Sequence, residues 1–367
     1  MKFIICGGGT GGHVSPAIAI YDALKEECHD AEFLFVGRDG GEENRAYRAT
    51  GERLATLSVS GISRKNFKKA AKGVLSAIRA RRAAKALIRA EKPNVIIGTG
   101  GYVCWPILNA GAKTGIPTVI HESNALPGLT TRMLCRQVDL VLLNYAEAAE
   151  HLLRKDNIHV VGNPLRKEFQ KIDKRLARRS LGVHDNDVMI LSFGGSLGAQ
   201  KLNEAIIDLM RCYSSKKTNI KHLHAMGASN YKDISEETLL ELNNKNGCKI
   251  VPYIEDMATA MSATDIVISR CGAMTLSEIC AVGVAAILVP SPNVADNHQL
   301  KNAKHLERSG AAKVIEENSL SLNLLTKEVR DLTESLERRS SLAEKAAELG
   351  KTNPSILIAR KILSLAK

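Results

Sequence analysis

Aromatic residues are scarce in this chain. Six Phe, seven Tyr and one Trp make up 4% of its 367 residues, which leaves few platforms on which single-stranded nucleic acid could stack. No apolar run approaches the roughly 18 residues needed to cross a bilayer, so no spanning segment is expected. Met1, one Lys and four further apolar residues precede the first glycine, too few for the apolar region of a signal peptide. The eight cysteines (6, 28, 104, 135, 212, 248, 271, 280) form no C-x-x-C pair. Several lie in apolar, strand-like runs and read as reduced, buried thiols of a cytosolic protein. The ten histidines show no H-x-x-x-H or mixed Cys/His spacing, so no metal is expected.

Positive charge, by contrast, is in excess. The net charge is +12 and the pI about 9.3, which points to an anionic partner. Gly61–Lys92 holds eleven Lys/Arg against one acid, Glu91, so the basicity is a single patch. Phe67, Ala71, Val74, Leu75 and Ile78 fall on one helical stripe there, with Gly73 a candidate break. Lys68, Lys69, Lys72, Arg79, Arg81 and Arg82 crowd its flanks. An apolar stripe edged by cations is the pattern of a helix lying on anionic lipid. The alternatives are an ordinary surface helix with its stripe in the core, or a nucleic-acid surface, although no recognised module accompanies it. Trp105, in "GGYVCWPI", either shares that interface or packs inside.

Short β-rich runs alternate with helical patterns. Candidate strands are Phe3–Cys6, Glu32–Val36, Val95–Ile97, Thr118–His121, Leu140–Asn144 and Val160–Val161. A second set is Val188–Phe193, Lys221–Ala225, Lys249–Val251, Ile266–Ser269 and Ala286–Val289. This alternation predicts α/β architecture with parallel sheets covered on both faces. "FIICGGGTGGHVSPAIAIYDAL" is echoed by "MILSFGGSLGAQKLNEAIIDLM", each reading strand, glycine turn, helix. Two Rossmann-like domains follow, 1–163 and 164–345, with 346–367 a terminal segment. In that segment Asn353 or Thr352 caps a short helix with Pro354 in its first turn.

Glycine turns at Gly7–Gly12, Gly98–Gly101, Gly194–Gly198 and Ser269–Thr275 let backbone approach a phosphate at a helix start. Gly7, Gly9 and Gly12 match the dinucleotide fingerprint. Asp39 sits late for a ribose contact, and Arg38 suits a 2′-phosphate, which keeps an NADP-dependent oxidoreductase open. No Walker lysine follows any loop. His13 lies outside the fingerprint. With Ser15 as N-cap and Pro16 in the first turn, a helix is expected to start just after it. The positive helix terminus then favours a neutral ring fit to accept a proton; the alternative is a packing role. His121, Glu122 and Asn124 follow a strand, and Arg166 stands at the domain boundary, suited to a pyrophosphate. Thr275 and Glu278 have capping-box spacing, or Glu278 holds a ribose diol. His298 and Gln299 either reach a sugar or belong to a solvated loop.

Eight motifs occur in order: "GGGTGGHVSPA", "GTGGYV", "HESNALPGLT", "VGNPLR", "FGGSLGAQ", "YIEDMATAM", "SRCGAMTLSEI" and "NHQLKNA". From residue 3 to about 315 the chain resembles the MurG family, N-acetylglucosaminyltransferases that complete lipid II in bacterial peptidoglycan synthesis. The resemblance implies a GT-B fold, with two Rossmann-like domains facing a cleft and a last helix returning to the first. It implies inverting transfer of GlcNAc from UDP-GlcNAc to the muramoyl 4-hydroxyl of lipid I, with no cofactor and no nucleic acid. It also implies a peripheral place on the cytoplasmic face of the plasma membrane, serving cell-wall assembly, shape and division. By motif, Gly195 and Ser196 meet the diphosphate, with Ala273, Met274 and Thr275 nearby. Glu278 takes the ribose, the Ile254 backbone reads uracil and Gln299 contacts the sugar. Thr10, Gly11, Gly12, Asn124 and Arg166 complete the donor site, and His13 is the candidate general base. Leu197, Ser15 and His298 depart from the residues usual at their positions. A diacylglycerol glycosyltransferase or a UDP-GlcNAc 2-epimerase remains the alternative within the fold.

Overall fold

The computed structural model describes residues 1–59, 67–170, 172–195, 199–214, 218–243 and 247–366, with the backbone alone for 67–75, 77, 170, 214 and 295. Two compact units divide the chain: Met1–Arg166 with Thr352–Lys367, and Lys167–Lys351.

In the first unit, β1 (Lys2–Cys6), β2 (Glu32–Arg38), β3 (Arg53–Leu57), β4 (Val95–Gly98), β5 (Thr118–Glu122), β6 (Leu140–Leu143) and β7 (Ile158–Val160) form one sheet. Its order is β3-β2-β1-β4-β5-β6-β7, parallel throughout. The second unit has β8 (Val188–Phe193), β9 (Ile220–Ala225), β10 (Cys248–Val251), β11 (Ile266–Ser269), β12 (Ala285–Leu288) and β13 (Lys313–Val314). These run β10-β9-β8-β11-β12-β13, again parallel. Both sheets are doubly wound, as the alternation of elements predicts. Each starts at its centre, builds to one edge, then returns and builds to the other. The switch points lie between β1 and β4 and between β8 and β11, where such sheets bind ligands beyond their carboxyl ends.

Residues of period two fill two core layers per sheet. Ile4, Cys6, Leu34, Val36 and Ile96 enter one layer of the first unit, while Phe3, Ile5, Phe33, Phe35 and Ile97 enter the other. The second layer is closed by Ile20 and Leu24 of the Gly11–Glu27 helix and by Ile358, Ala359 and Ile362 of the last helix, Pro354–Leu363. Pro354 opens that helix as expected, while Asn353 stands at the N-cap position in the left-handed region and its side chain makes no capping hydrogen bond. Residues 164–166 side with the first unit because Ser355 Oγ holds both the N–H and the carbonyl of Leu165, at 2.9 and 2.8 Å. Residues 346–351 stay with the second, where Ala346 is buried in the core and Gly350 lies against the Cys280 carbonyl.

Two strands escaped the sequence reading, β3 and β13. Both are sheet edges, half-exposed or only two residues long, so neither carries a continuous apolar run.

The basic segment forms one helix, Phe67–Glu91, unbroken at Gly73. Ala80, Ala84 and Ile88 bury one face against the core. Ile78 is 42% exposed, beside exposed Arg79 and Arg82 and half-buried Arg81. The side chains of Phe67, Lys68, Lys69, Ala71, Lys72, Val74 and Leu75 lie outside the described residues. Trp105 packs partly buried against the same core. Among the described residues no helix is long and apolar enough to cross a membrane.

A polar cluster sits inside the second unit. Ser192 Oγ of β8 lies 2.7 Å from His222 Nε2 and 2.8 Å from His224 Nδ1, both on β9, and the Tyr213 hydroxyl meets His222 Nδ1. Burial pushes His222 well below its ordinary pKa and His224 down to about 4. The native rings therefore stay neutral while the unfolded chain takes up protons near pH 6.5. The stability this contributes is complete above that pH and lost as pH falls toward 4. For His224 alone the loss by pH 5 is about 2 kcal/mol. Urea unfolding followed by circular dichroism should give a lower midpoint at pH 5 than at pH 7.5; equal midpoints would refute buried neutral rings.

Candidate active site

The four glycine turns singled out in the sequence follow β1, β4, β8 and β11, the central strands that flank the two switch points. In the first unit the turns after β1 and β4 touch. Gly8 N–H donates to the Gly100 carbonyl at 3.2 Å. Gly101 (φ 87°) lies so close to Gly8 that a β-carbon would overlap the Gly8 carbonyl.

The helix after the first turn starts earlier than Ser15 and Pro16 suggest. Thr10 is its N-cap residue, it runs from Gly11 to Glu27, and Pro16 lies inside it. His13 and Val14 N–H both reach the Thr10 carbonyl, at 3.0 and 3.3 Å. Gly11 and Gly12 bring no side chain that competes for another conformation. Pro16 forfeits only the bond to the Gly12 carbonyl, so the Ser-Pro signal is overridden. His13 thus belongs to the first turn itself.

Its Nδ1 lies 3.0 Å from the Gly8 carbonyl and 3.3 Å from Thr10 Oγ1. A carbonyl can only accept, so Nδ1 carries a proton, and in the neutral ring Nε2 carries the lone pair. The ring rests against Gly100, where a β-carbon would stand 2.6 Å from Cδ2. Thr99 Oγ1 donates to the His13 carbonyl at 2.6 Å. A β-carbon on Gly9 or Gly11 would meet nothing within 4 Å, so a ligand has room to approach this helix start.

The "HESNALPG" loop divides its labour. Glu122 braces it: Oε1 accepts from Asn124 N and Nδ2, both at 3.0 Å, and Oε2 from Gly128 N at 2.9 Å and Thr131 Oγ1 at 2.6 Å. His121 is fully buried, its Nε2 3.0 Å from the Gly162 carbonyl, and burial lowers its pKa. Asn124 remains half-buried at the loop. Thr130 Oγ1 donates to the Gly101 carbonyl at 3.2 Å and ties this loop to the glycine turns. Thr10, Gly11, Gly12, His13 and Asn124 are therefore gathered at one sheet edge. Arg166 is exposed beyond β7, the outer strand.

In the second unit a β-carbon on Gly195 would meet nothing within 4 Å. Ser196 and Leu197 lie outside the described residues. The Ala273–Val282 helix follows Gly272, with no side-chain cap. Thr275 is its third residue and Glu278 its sixth, so the expected capping box does not form, because the box needs Thr275 ahead of the helix. Ala273 and Met274 are buried; Thr275 and Glu278 are half-buried. Gln299 Oε1 accepts from Cys271 N at 3.2 Å and Ser291 N at 2.9 Å, which leaves its amide N–H groups as donors. His298 opens the His298–Arg308 helix after Asp296 and Asn297, both at positive φ. Asp296 and Asn297 are exposed, so the turn is both constrained and solvated. The N–H and carbonyl of Ile254 make no hydrogen bond among the described residues.

Residues 3–143 match the glycosyltransferase family 28 N-terminal domain and residues 189–359 its C-terminal domain. A curated relative from Thermoanaerobacter sp. (strain X514) is 38% identical over 366 residues, all of both chains. Another, from Caldanaerobacter subterraneus subsp. tengcongensis, is 39% identical over 359 residues, 98% of each. Both are named UDP-N-acetylglucosamine--N-acetylmuramyl-(pentapeptide) pyrophosphoryl-undecaprenol N-acetylglucosamine transferase. The crystal structure of Acinetobacter baumannii MurG matches with a TM-score of 0.78 at 26% identity over 99% of each chain.

The chain belongs to glycosyltransferase family 28. A UDP-N-acetylglucosamine 2-epimerase from Listeria monocytogenes, at 16% identity and a TM-score of 0.68 over 99% of this chain and 95% of its own, shares the fold alone. Family membership also answers the nicotinamide reading: the Gly7–Gly12 fingerprint is a matter of turn geometry here.

Sequence reasoning missed three side chains that hold this glycosyltransferase's loops. Arg270 donates to the Val289 carbonyl at 3.1 Å and pairs with Glu317, joining the ends of β11 and β12. Tyr47 donates to the Gly7 carbonyl, and Glu43 accepts from Gly9 N–H. The available signal was a charged residue inside a motif (Arg270) and an acid after paired glycines (Glu43). Gly100→Ala should push the His13 ring aside; for a ring that takes part in the reaction this cuts turnover on the order of 100-fold, the cost of misplacing a reacting group by about 1 Å. Steady-state kinetics on protein with an unchanged circular dichroism spectrum checks this; near-normal turnover would show that the ring needs no wall there.

Proposed function

We propose that this glycosyltransferase moves GlcNAc from UDP-GlcNAc to the 4-hydroxyl of the muramoyl sugar in undecaprenyl-pyrophosphoryl-MurNAc-pentapeptide. The observation that carries the reading is the full-length match to relatives whose name describes that transfer. The tautomer of His13 supports it. Nε2 takes the hydroxyl proton as the acceptor oxygen bonds to the anomeric carbon. The bond from that carbon to UDP breaks, and its electron pair leaves with the diphosphate. A single displacement from the opposite face inverts the centre.

Charge growing on UDP needs donors already in place. We assign them to Gly195, Ser196 and the helix start at Ala273, Met274 and Thr275. Glu278 is assigned to the ribose hydroxyls, the Ile254 backbone to uracil, and Gln299 and His298 to the sugar. Thr10, Gly11, Gly12, Asn124 and Arg166 are the first unit's proposed contribution to substrate binding. Exposed Ile78 with Arg79 and Arg82 supports peripheral adhesion to an anionic bilayer, here the cytoplasmic face of the plasma membrane, where a lipid-linked acceptor is reached.

UDP release from UDP-GlcNAc should depend on a lipid I analogue; release equal with and without it would sink the assignment. His13→Ala should lower turnover by roughly 100-fold or more, the usual share of a general base, and leave UDP affinity by calorimetry little changed. Parallel losses of both would make His13 a binding residue. Changing Arg79, Arg81 and Arg82 to Gln should weaken sedimentation with anionic vesicles by about 1 kcal/mol per charge and spare turnover of a soluble acceptor. Unaltered vesicle binding would assign the patch elsewhere.

A further inference from the structure

Glu43 is an acid of the "RDGGEEN" turn that the mechanism above does not use. It is 3% exposed, in the first turn of the Glu43–Ala49 helix. Burying a carboxylate is costly unless its oxygens are filled, and here main-chain N–H groups fill them. Oε1 accepts from Arg38 N at 2.8 Å and Oε2 from Gly9 N at 3.4 Å. The group lies between two glycines. A β-carbon on Gly8 would stand 2.5 Å from Oε1, and one on Gly41 would overlap the carboxylate.

Gly9 N–H and the Gly8 carbonyl are opposite ends of one peptide group. One end points at Glu43 and the other at His13 Nδ1, 3.0 Å away. A trans peptide keeps its N–H and C=O on opposite sides, so gripping the N–H aims the carbonyl. Between two glycines, such a peptide otherwise turns over at little steric cost. Turned over, it would present an N–H to Nδ1. That favours the tautomer with the proton on Nε2, the wrong nitrogen for a base.

We infer that Glu43 is a positioning residue that fixes the tautomer of His13 by holding the Gly8–Gly9 peptide in one orientation. The inference rests on the reading of His13 as the base, but its test does not. In Glu43→Gln the shape is kept, while the side-chain amide now offers an N–H. That donor opposes Gly9 N–H and suits a Gly8 carbonyl turned toward it. The protein is labelled with 15N-histidine, and two-bond 1H–15N correlation spectra are recorded near pH 8, above the ordinary histidine pKa of about 6.5. The His13 signals are those absent from His13→Ala.

The wild-type ring should be protonated on Nδ1. In Glu43→Gln it should shift to Nε2, with kcat at least tenfold lower and KM for UDP-GlcNAc within about twofold. Glu43→Asp, which keeps an acceptor-only group, should restore part of both. A folded Glu43→Gln protein whose His13 stays protonated on Nδ1 overturns the inference. If that variant does not fold, Gly41→Ala crowds the same carboxylate directly, and an unmoved tautomer there is equally fatal. Should His13→Ala keep its turnover, the base reading falls while the spectra still decide the role of Glu43.

Discussion

The close approach of Gly8 and Gly101 is the constraint on which the first unit's site depends. Gly101 has no side chain to hold the turns apart, so the backbone after β1 lies directly on the backbone after β4. From that contact the rest follows in order. Gly100 becomes a wall for the His13 ring, Thr99 reaches the His13 carbonyl, and Thr130 reaches Gly101 from the next loop. The sheet order explains why these turns are neighbours at all. β1 and β4 pair although about ninety residues of chain separate them, because the chain leaves the centre of the sheet in one direction and returns to build the other. A side chain at Gly101 would separate parts that no later packing could bring back together, since the strands beneath them are buried on both faces.

The second unit uses the same topology to a different chemical end. β8 and β11 meet as β1 and β4 do, but no histidine opens the helix after β11. That helix begins at Ala273 behind Gly272, with Arg270 turned away to Glu317 and the Val289 carbonyl. A cation near the turn is thereby committed to the framework. What remains at the turn is main chain at a helix N-terminus, the arrangement that holds an anion without a discrete positive charge. The switch-point geometry is common to both, and the difference lies in a few side chains.

Much of this was legible in the sequence, and its failures have physical causes. The central strands declare themselves because burial on both faces demands continuous apolar runs, and the glycine turns because close backbone approach tolerates nothing larger. β3 and β13 were hidden by the same logic, since an edge strand escapes that demand. The start of the first helix was misread because Ser15-Pro16 is a stronger local cap signal than Thr10-Gly11-Gly12; the decision is made by contacts with Gly100 and Thr99, far away in sequence. Glu43 was overlooked for a related reason. Its partners are the N–H groups of Arg38 and Gly9, and no side-chain pattern marks a main-chain donor. The family resemblance suggested roles that spacing alone could not, for the Ile254 backbone above all.

The basic helix gains its character from the fate of its single acid. Glu91 does not neutralise the cations beside it. It turns back to the sheet, where Arg53 grips both its oxygens and Lys2 lies 3.4 Å away. The Arg53 guanidinium beside it holds the Glu91 carboxyl below its ordinary pKa, so the pairing persists in mild acid. Ala80 and Ala84 add to the effect. Small residues on the buried face seat the helix close to the Cys104–Thr114 helix behind it, while Arg79, Arg82, Lys85 and Arg89 stay in water. A surface helix built only for stability gains from acids spaced among its bases. This one keeps a field of one sign toward solvent and accepts the self-repulsion, an arrangement that makes physical sense against a surface of opposite charge.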